Sequence, residues 1–579
     1  MREFKSAGTD RRSFLKGAAL VGAGVAATGL AAACSPSSPD DGKSESPTGS
    51  SGGDGPKGYV KAHWTWEDVP EPITDAEDGG SADVIVVGLG NAGVHTSLSC
   101  VENGLSVLAF EKSEWVQARG GSTGSCESHL HREADLHVNR DRAQYLWIRS
   151  SGNRVNEELV QQWFDRSGEA LDWMWANVQH VDPGATQALI SAWGKFEWFP
   201  EEPDNCSTQA GPDFEVPDEV YAIEFAPGFK FFYMPTAAHF KLLKDEHADK
   251  FTATFNTRVV QLVKEGDRVT GVITEDESGA HKKYTGTKAV VLTTGGIHDD
   301  SEMMECYVEE FTANALDNQF APPGFSTGDG HKMAMWVGAA MQGKPFPPML
   351  HPQALAIFHG PFMFVNTKGR RYMNEATWVQ GKAVQFMLQP KGFSYSIFDD
   401  NYDRDNADSL NYGGGMFWDS LSGVQGVPFD RDAMRTEIEG YITNGVGFKA
   451  DTLEELADLI GEIDKEAFLA QVAQYNADCE AGRDSQFCKD PRMLYPIVQA
   501  PFYAMRNGGT MMSIVGGIKM TKRLECLDTN GEVIPGLYAA GNVSGDFYAQ
   551  DYPIHVSGTS TSRCLTWGYL LGKFISGAE

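Results

Sequence analysis

Three glycines near the start of the chain have the spacing of a site that binds a dinucleotide. Gly88, Gly90 and Gly93 follow the apolar segment 83–87 and form the pattern G-x-G-x-x-G. In this pattern the first glycine permits the turn and the second lets the backbone approach a pyrophosphate. The third lets a helix pack closely against the strand, and the positive N-terminus of that helix faces the phosphates.

An acidic residue stands at the end of the next predicted strand. The segment 106–110 is short and apolar, and Glu111 follows it directly. A carboxylate at this position binds a ribose hydroxyl, and its charge disfavours the 2′-phosphate of NADP. The motif and the carboxylate together leave NAD and FAD as alternatives.

Three further glycine segments favour FAD. The loop 120–125 consists of small residues and offers several backbone N–H groups to a pyrophosphate or a ribityl chain. Two later apolar runs each end in glycine, the first at Gly295 and the second at Gly541. A helix predicted from about 558 to 574 follows, and its positive end would stabilise negative charge on a reduced flavin. The order of these segments predicts non-covalently bound FAD.

The residues predicted to contact FAD lie in these segments or in the strands and turns between them. They are Gly88, Gly90, Asn91, Ala92, Gly93, Glu111, Lys112, Gly120, Gly121, Ser122, Thr123, Val259, Thr294, Gly295, Gly296, Asp329, Gly541, Asn542, Gly558, Thr559 and Ser560. The 9 cysteines include no C-x-x-C or C-x-x-C-H pattern. No metal site, bound haem or compact iron–sulfur cluster is therefore predicted, and a disulfide or cluster formed by distant cysteines stays open.

Further motifs give the chain a family resemblance that runs from residue 82 to about 573. Residues 326–330 read STGDG, residues 351–352 read HP, and residues 366–375 contain N-x-x-G-R-R-Y-x-N-E. These patterns resemble the fumarate reductase/succinate dehydrogenase flavoprotein superfamily, in its branch of exported ene-reductases and 3-ketosteroid dehydrogenases. The resemblance implies an α/β fold, in which a Rossmann-like FAD-binding domain of the glutathione-reductase type carries an inserted α+β capping domain.

The predicted organisation follows from this resemblance and from the composition of the N-terminal region. The segments are a signal peptide at 1–34, a flexible linker at 35–80, a first part of the FAD-binding domain at 81–320, a capping and substrate domain at 321–494, and a second part of the FAD-binding domain at 495–579.

The N-terminal segment predicts export rather than a folded element. Arg11 and Arg12 precede Ser-Phe-Leu-Lys and a short run rich in Gly and Ala, as in a twin-arginine signal peptide. Cys34 follows three alanines, so lipid attachment at this cysteine and plain cleavage stay open as alternatives. The predicted location is the periplasm or the outer face of the cytoplasmic membrane.

Several positions depart from the pattern that this superfamily uses to reduce fumarate. Val379 stands where the resemblance places a proton-donating arginine, and Met512 or Ser513 stands in place of a substrate histidine. His555 stands in place of an arginine that clamps a carboxylate. Valine and methionine can neither donate protons nor pair with carboxylates. Reduction of a dicarboxylate by the family's mechanism is therefore not predicted.

Tyr552, His555 and His351 remain as candidate catalytic residues. Tyr552 and Pro553 precede Gly558 in a pattern that resembles the ketosteroid-type ene-reductases. A tyrosine or histidine can protonate the carbon α to a carbonyl as a hydride from flavin N5 reaches the β-carbon. Each candidate has an alternative role: Tyr552 could pack against the flavin edge, His555 could fix the loop, and His351 could bind a substrate carbonyl or be structural.

The predicted function is that of an exported FAD-dependent oxidoreductase that reduces a C=C bond conjugated to a carbonyl. Two alternatives stay open, a 3-ketosteroid-like dehydrogenase and a flavin electron-transfer protein without catalysis of its own. The predicted partners are a small unsaturated substrate and an external electron donor, either a cytochrome or a membrane quinol dehydrogenase. A net charge of −31 disfavours nucleic acid and suits either solubility or a basic redox partner.

Overall fold

The computed structural model describes most of the chain after residue 62. The described ranges are 63–118, 123–133, 140–183, 234–317, 324–358, 360–377, 379–409, 431–552 and 558–579. The predicted signal peptide, most of the predicted linker and four predicted site residues lie outside these ranges. Those four residues are Gly120, Gly121, Ser122 and His555.

An eight-stranded sheet carries the glycine motif. Its strands are β1 (Glu77–Val87), β2 (Val107–Phe110), β3 (Phe251–Thr254), β4 (Thr257–Glu265), β5 (Arg268–Asp276), β6 (His281–Leu292), β12 (Glu525–Leu527) and β13 (Val533–Ala539). The order is β12-β13-β6-β1-β2-β3, with β5 paired to β6 and β4 paired to β5. Strands β13, β6, β1, β2 and β3 are parallel, and β1 ends in a continuous buried apolar run, as strands covered on both faces do.

Helices cover this sheet. We call the sheet and these helices together the nucleotide layer. They are α1 (Asn91–Glu102), α2 (His129–Glu133), α3 (Arg140–Ser150), α4 (Glu157–Val181), α5 (Met234–Asp245), α6 (Ser301–Tyr307), α7 (Asp329–Trp336) and α13 (Thr559–Ser576). Helix α13 packs directly on α1, because a Cβ on Gly568 would lie 2.6 Å from the Cβ of His95. The first and the last helix of the layer are therefore in backbone contact.

A second sheet of five antiparallel strands forms what we call the cap layer. Its strands are β7 (Pro348–Leu355), β8 (Met363–Val365), β9 (Phe393–Phe398), β10 (Gly447–Ala450) and β11 (Phe502–Ile514). Strand β11 pairs with β9 along one edge and with β10 and β7 along the other. The helices of this layer are α8 (Val379–Met387), α9 (Tyr402–Ser409), α10 (Arg431–Thr443), α11 (Leu453–Ile460) and α12 (Lys465–Ala481).

Short 3₁₀ helices connect several of these elements. They span Thr65–Glu67, Glu310–Asn314, Pro390–Gly392, Pro491–Met493 and Gly541–Val543. No helix among the described residues combines the length and the hydrophobicity that a membrane crossing requires. The two layers confirm the predicted α/β fold with an inserted α+β cap.

The boundaries of the cap differ from the predicted 321 and 494. Bridges from Ala339 to Asp528 and from Met341 to Ile518 tie the chain after α7 to the nucleotide layer, so the cap begins later. Strand β11 belongs to the cap sheet, so the chain returns to the nucleotide layer after Ile514. The prediction followed the positions of motifs, whereas the layers are defined by strand pairing, which a motif does not report.

The prediction of a flexible linker up to residue 80 is wrong for its last part. Trp66 is buried, and its ring lies 5.6 Å from that of Tyr307. The indole N–H of Trp336 donates to the carbonyl of Trp66, and β1 already pairs with β6 at Glu77. The prediction relied on the polar composition of this stretch and did not take into account Trp66, which packs against the nucleotide layer.

Four charged side chains are completely buried in the cap layer. Arg371 donates to both carboxylate oxygens of Glu375 at 2.7 Å and to both oxygens of Asp484 at 2.8 Å. Lys489 lies 3.3 Å from Glu375, and the side chains of all four are 0% exposed. Burial lowers the pKa of Lys489 to about 8, although Glu375 opposes the shift. Two of these residues belong to the motif at 366–375, which therefore organises the interior of the cap.

Candidate functional site

The glycine turn after β1 has the geometry that its sequence predicts. Gly88 has a φ of +95°, and a Cβ at this position would lie 2.7 Å from the carbonyl of Thr293. A Cβ on Gly93 would lie 2.0 Å from the carbonyl of Gly88, so only glycine lets α1 approach the turn this closely. Gly90 caps α1 without a side-chain hydrogen bond to the first N–H groups of the helix. The turn therefore forms a cradle that suits a pyrophosphate.

Glu111 is buried at the end of β2, beside this turn. Its Oε2 accepts from the backbone N–H of Leu89 at 2.8 Å, and its Oε1 accepts from the N–H and the hydroxyl of Ser113 at 3.0 Å. A carboxylate has about four lone-pair sites, so it retains acceptor capacity for a ribose hydroxyl. The hydrogen bond to Leu89 fixes the carboxylate relative to the glycine turn.

Lys112, Val259 and Asp329 are brought together by contacts between β2, β4 and α7. Lys112 Nζ lies 3.1 Å from Asp329, and Arg258, the neighbour of the buried Val259, lies 2.6 Å from Asp329. Burial opposes ionisation of Asp329, but Lys112 and Arg258 outweigh it and lower the pKa of this carboxyl. The sequence did not single out Arg258, because a basic residue within a strand has no recognisable pattern.

The glycine segment after β6 contributes an unsatisfied hydroxyl. Thr294 Oγ1 is buried and has no hydrogen-bond partner in the described part of the chain. Gly295 has a φ of +78°, and a Cβ on Gly296 would lie 2.9 Å from the carbonyl of Ile514. A buried hydroxyl without a partner is costly, so this position is suited to a polar ligand that supplies one.

The C-terminal segments close the same site from the other side. A Cβ on Gly541 would lie 3.0 Å from the Cβ of Ala92, in the first turn of α1. The hydroxyl of Thr123 lies 3.3 Å from that of Thr561, and the N–H of Gly124 donates to the carbonyl of Gly558 at 2.9 Å. Segments from both ends of the chain thus meet at one place.

Contacts between these segments link many of the described residues of the predicted cofactor set. Asn91 begins α1 and accepts from the Thr236 hydroxyl at 2.8 Å, while Thr559 and Ser560 form the first turn of α13. The glycine cradle, the fixed carboxylate of Glu111 and the unsatisfied hydroxyl of Thr294 each fit a part of FAD. These features agree with the cofactor that the sequence predicts.

Tyr552 is buried against the first turn of α13. Its phenol oxygen accepts from the N–H of Ser560 at 3.1 Å and from the hydroxyl of Thr559 at 3.3 Å. Its ring lies 5.2 Å from that of Tyr548. The phenol oxygen is the acceptor in both of these contacts. The structure thus places this candidate proton donor beside two predicted cofactor residues.

His351 lies on β7, opposite Thr510 of β11. Burial lowers the pKa of His351 to about 4, although a hydrogen bond with Gln353 opposes the shift. The imidazole is therefore neutral near pH 7. It can form a hydrogen bond with a substrate carbonyl, but it cannot act as a cation for a carboxylate.

Two residues that join the layers beside Tyr552 were not predicted. Gln380 of α8 donates to Asp551 Oδ1 and, at 2.7 Å, to the carbonyl of Pro348. Its own carbonyl accepts from the N–H of Leu350 at 2.8 Å. Burial raises the pKa of Asp551, against the hydrogen bonds from Tyr552 N–H and Gln380. Neither residue belongs to a recognisable motif, and only the packing of α8 brings them together.

A histidine after the middle glycine segment was also missed. A Cβ on Gly296 would lie 3.4 Å from His298 Nδ1 and 3.6 Å from Ser513 Oγ. Both ring nitrogens of His298 are buried without a partner among the described residues, and burial lowers its pKa. Ser513 in turn accepts from Asn542 Nδ2 at 2.7 Å. The end of β11 is thereby connected to the predicted cofactor residues.

Comparison with known proteins gives a match over most of the chain. The family model described as "FAD binding domain" matches residues 83–552. A vinyl phenol reductase of Lactiplantibacillus plantarum is 24% identical over 524 residues, which cover 85% of this chain and 95% of the relative. A digoxin reductase of Eggerthella lenta is 25% identical over 620 residues, which cover 99% of this chain and 98% of the relative.

Other matches bear on length and on fold. The chain spans only 50% of an NADH:acrylate oxidoreductase of Vibrio harveyi, to which it is 24% identical over 552 residues, or 86% of this chain. The structure of a 3-ketosteroid-Δ4-(5α)-dehydrogenase from Rhodococcus jostii, in complex with 4-androstene-3,17-dione, superposes with a TM-score of 0.62 and 19% identity. That superposition covers 87% of this chain and 98% of the dehydrogenase, and it shows a shared fold.

Proposed function

This chain belongs to the FAD binding domain family and is an FAD-dependent oxidoreductase that acts on carbon–carbon bonds, and we propose that it reduces a C=C bond conjugated to a carbonyl in a large, mostly uncharged substrate. This proposal depends on the residue types at the positions where a dicarboxylate would need cationic or proton-donating side chains. Valine, methionine and serine stand at residues 379, 512 and 513, and His351 is held neutral by burial. None of these residues supplies a cation that would offset the desolvation of a second carboxylate.

The names of two relatives support an uncharged substrate. One relative is a reductase of vinyl phenol and the other is a reductase of digoxin, and neither compound is a dicarboxylate. Digoxin is also far larger than fumarate. A site between an antiparallel cap and the cofactor can vary in size through its cap, while the cradle that holds the cofactor stays the same.

Bound FAD supplies hydride chemistry, and the residues of this chain supply binding, orientation and a proton. We assign the diphosphate to the turn at Gly88–Gly93, a ribose hydroxyl to Glu111, and the ring end of the cofactor to the start of α13. The substrate then lies between this end and the cap strands β7 and β11. In this arrangement His351 orients the substrate carbonyl through a hydrogen bond.

Tyr552 is our preferred proton donor. As the β-carbon of the substrate receives a hydride, the α-carbon must take up a proton. The N–H of Ser560 at the positive end of α13 already contacts the phenol oxygen, so it would stabilise the negative charge left on that oxygen after donation.

Anaerobic reoxidation of the chemically reduced protein tests the proposal. The FAD-loaded protein would be mixed with steroid enones, unsaturated lactones, aromatic acrylates and fumarate, while the flavin absorbance is followed. We expect at least one uncharged substrate to reoxidise the flavin faster than fumarate does. Reoxidation by fumarate alone, or by no member of the panel, would contradict the proposal. Rates with an artificial donor and an artificial acceptor would distinguish reductase from dehydrogenase activity.

We also propose that the protein acts outside the cytoplasm and receives electrons from a cytochrome or a membrane quinol dehydrogenase. The support is the sequence at Arg11 and Arg12 and the dinucleotide site, which is the only redox centre that the sequence patterns indicate. An Arg11→Lys, Arg12→Lys double variant should accumulate in the cytoplasm with its N-terminus intact. Export of this variant at the normal rate would exclude the twin-arginine route.

A further inference from the structure

A cationic side chain is buried behind the cofactor site without a counter-ion. Arg563, in the second turn of α13, is 0% exposed. Its Nη2 donates to Asn542 Oδ1 at 2.8 Å, and its Nε and Nη1 are buried without a hydrogen-bond partner. Within the ranges that the structure describes, no carboxylate forms an ion pair with Arg563. The guanidinium therefore keeps an uncompensated positive charge.

Aromatic rings provide the remaining surroundings of this guanidinium. Its central carbon lies 4.7 Å from the ring centre of Tyr548 and 5.9 Å from that of Phe547. Ring faces attract a cation, but they do not replace the hydration that a buried arginine loses. Natural chains accept such a cost chiefly at functional sites. The location of this charge therefore indicates a role in the site beside it.

Arg563 lies beside two residues that we predict to contact the cofactor. It follows Thr559 by one helical turn, and it holds the side-chain oxygen of Asn542. With this oxygen fixed, the Asn542 amide group points its Nδ2 at Ser513, 2.7 Å away. The arginine is therefore linked through the Asn542 side chain to the residues that we predict to contact the cofactor.

We propose that Arg563 is a positioning residue that orients Asn542 and raises the reduction potential of the bound FAD. Two-electron reduction adds negative charge to the flavin, and a buried cation nearby stabilises the more negative state. A low-dielectric environment without a counter-ion strengthens this effect. The inference depends on the binding of FAD to this chain and is independent of the substrate class.

Equilibrium redox titration of the FAD-loaded full chain against a reference dye tests the inference. We expect Arg563→Gln to lower the equilibrium constant for two-electron reduction by about tenfold or more, which corresponds to about 30 mV. Arg563→Lys should retain most of the wild-type potential, because it keeps the charge. Arg523→Gln is the matched control, since Arg523 also lies 4.7 Å from an aromatic ring, that of Phe574, at the opposite end of α13.

A second variant keeps the test decisive if Arg563→Gln does not fold or does not retain FAD. Asn542→Asp leaves the arginine in place and gives it a counter-ion, so we expect the potential to fall as well. A wild-type or higher potential in Asn542→Asp, or an unchanged potential in FAD-loaded Arg563→Gln, would overturn the inference. The titration contains no substrate, so its outcome is independent of the reoxidation panel.

Discussion

The nucleotide layer contains a buried pair of histidines that stays neutral, whereas the cap layer contains a buried cluster of four charged side chains. In the nucleotide layer His95 Nδ1 lies 2.9 Å from His239 Nδ1, and both residues are at most 1% exposed. Burial lowers the pKa of His95 to about 3 and places the pKa of His239 well below its ordinary value, where the other histidine lowers it further. In the cap layer Arg371, Glu375, Asp484 and Lys489 are all buried, and their charges compensate one another.

This difference shows how each layer depends on its residues. The nucleotide layer relies on backbone geometry and on the absence of side-chain volume at its glycines, and its buried imidazoles share one hydrogen bond. The cap layer relies on a complete set of charges, because each buried ion is stabilised only while its partners are present. Changes of volume should therefore damage the first layer, and changes of charge should damage the second.

The largest effect is expected from Gly93→Ala, which tests the volume dependence of the nucleotide layer. The added Cβ would lie 2.0 Å from the carbonyl of Gly88, so α1 must move away from the turn. We expect purified protein with almost no FAD, measured as the ratio of flavin to protein absorbance. Gly440→Ala in the cap helix α10 is the control, since its Cβ would meet no atom within 4 Å. Wild-type FAD content in Gly93→Ala would contradict this account of the turn.

A change at Tyr552, beside the contact that joins the two layers, should lower turnover and leave the FAD content unchanged. Tyr552→Phe removes the proposed proton donor, so we expect turnover to fall by about 10² to 10⁴-fold. FAD content should stay normal, because the ring is retained. Tyr372→Phe, which removes a buried phenol in the cap that donates to Ser394 at 2.6 Å, serves as the control and should leave turnover unchanged. Equal turnover in both variants would remove Tyr552 from the mechanism.

The charge dependence of the cap is tested by Arg371→Gln. Loss of this guanidinium leaves Glu375 and Asp484 buried with less compensation, which should lower the free energy of unfolding by about 3–5 kcal/mol. Urea unfolding, monitored by the hydrogen exchange of amides in the cap layer, measures this loss. Arg132→Gln breaks a pair with Asp172 in which the arginine is 56% exposed, and it should cost less than about 1 kcal/mol. Similar losses in the two variants would refute the contrast between the layers.

The smallest expected effect is a difference in how the stability of each layer depends on pH. The pKa of both buried histidines is lowered from 6.5, so the unfolded chain binds protons that the folded chain does not, and stability falls as pH drops below about 6.5. Each histidine contributes at most about 1.4 kcal/mol per pH unit. The pKa of Asp484 is lowered from 3.8, so its contribution is lost only below about pH 4.

Thermal unfolding between pH 7 and pH 5 separates these contributions. His95→Gln removes one histidine of the pair and should reduce the loss of stability over this interval. His180→Gln is the control, because His180 is 61% exposed and pairs with Glu246 at the surface. An unchanged pH dependence in His95→Gln would show that the histidine pair does not govern the acid response.

The sequence predicted the cofactor site better than the substrate site. The residues predicted to contact FAD occur in glycine segments that a short stretch of sequence identifies, and contacts link several of these segments in the structure. The catalytic candidates were less complete, since Asp551, Gln380 and His298 were missed. These residues acquire a role only where α8, β11 and the middle glycine segment meet. The cap boundaries were misplaced for the same reason, because strand pairing joins residues that are distant in the chain.

The sequence by itself determined the nucleotide turn, the acidic residue that follows it and the departure from a dicarboxylate site. These features depend on residue type and on the conformation of neighbouring residues, which a short segment specifies. Only the tertiary structure decided that Arg563 holds Asn542, that Gln380 reaches Asp551 and that His95 meets His239. Such contacts join segments up to 171 residues apart, and they form only when complete layers pack against each other.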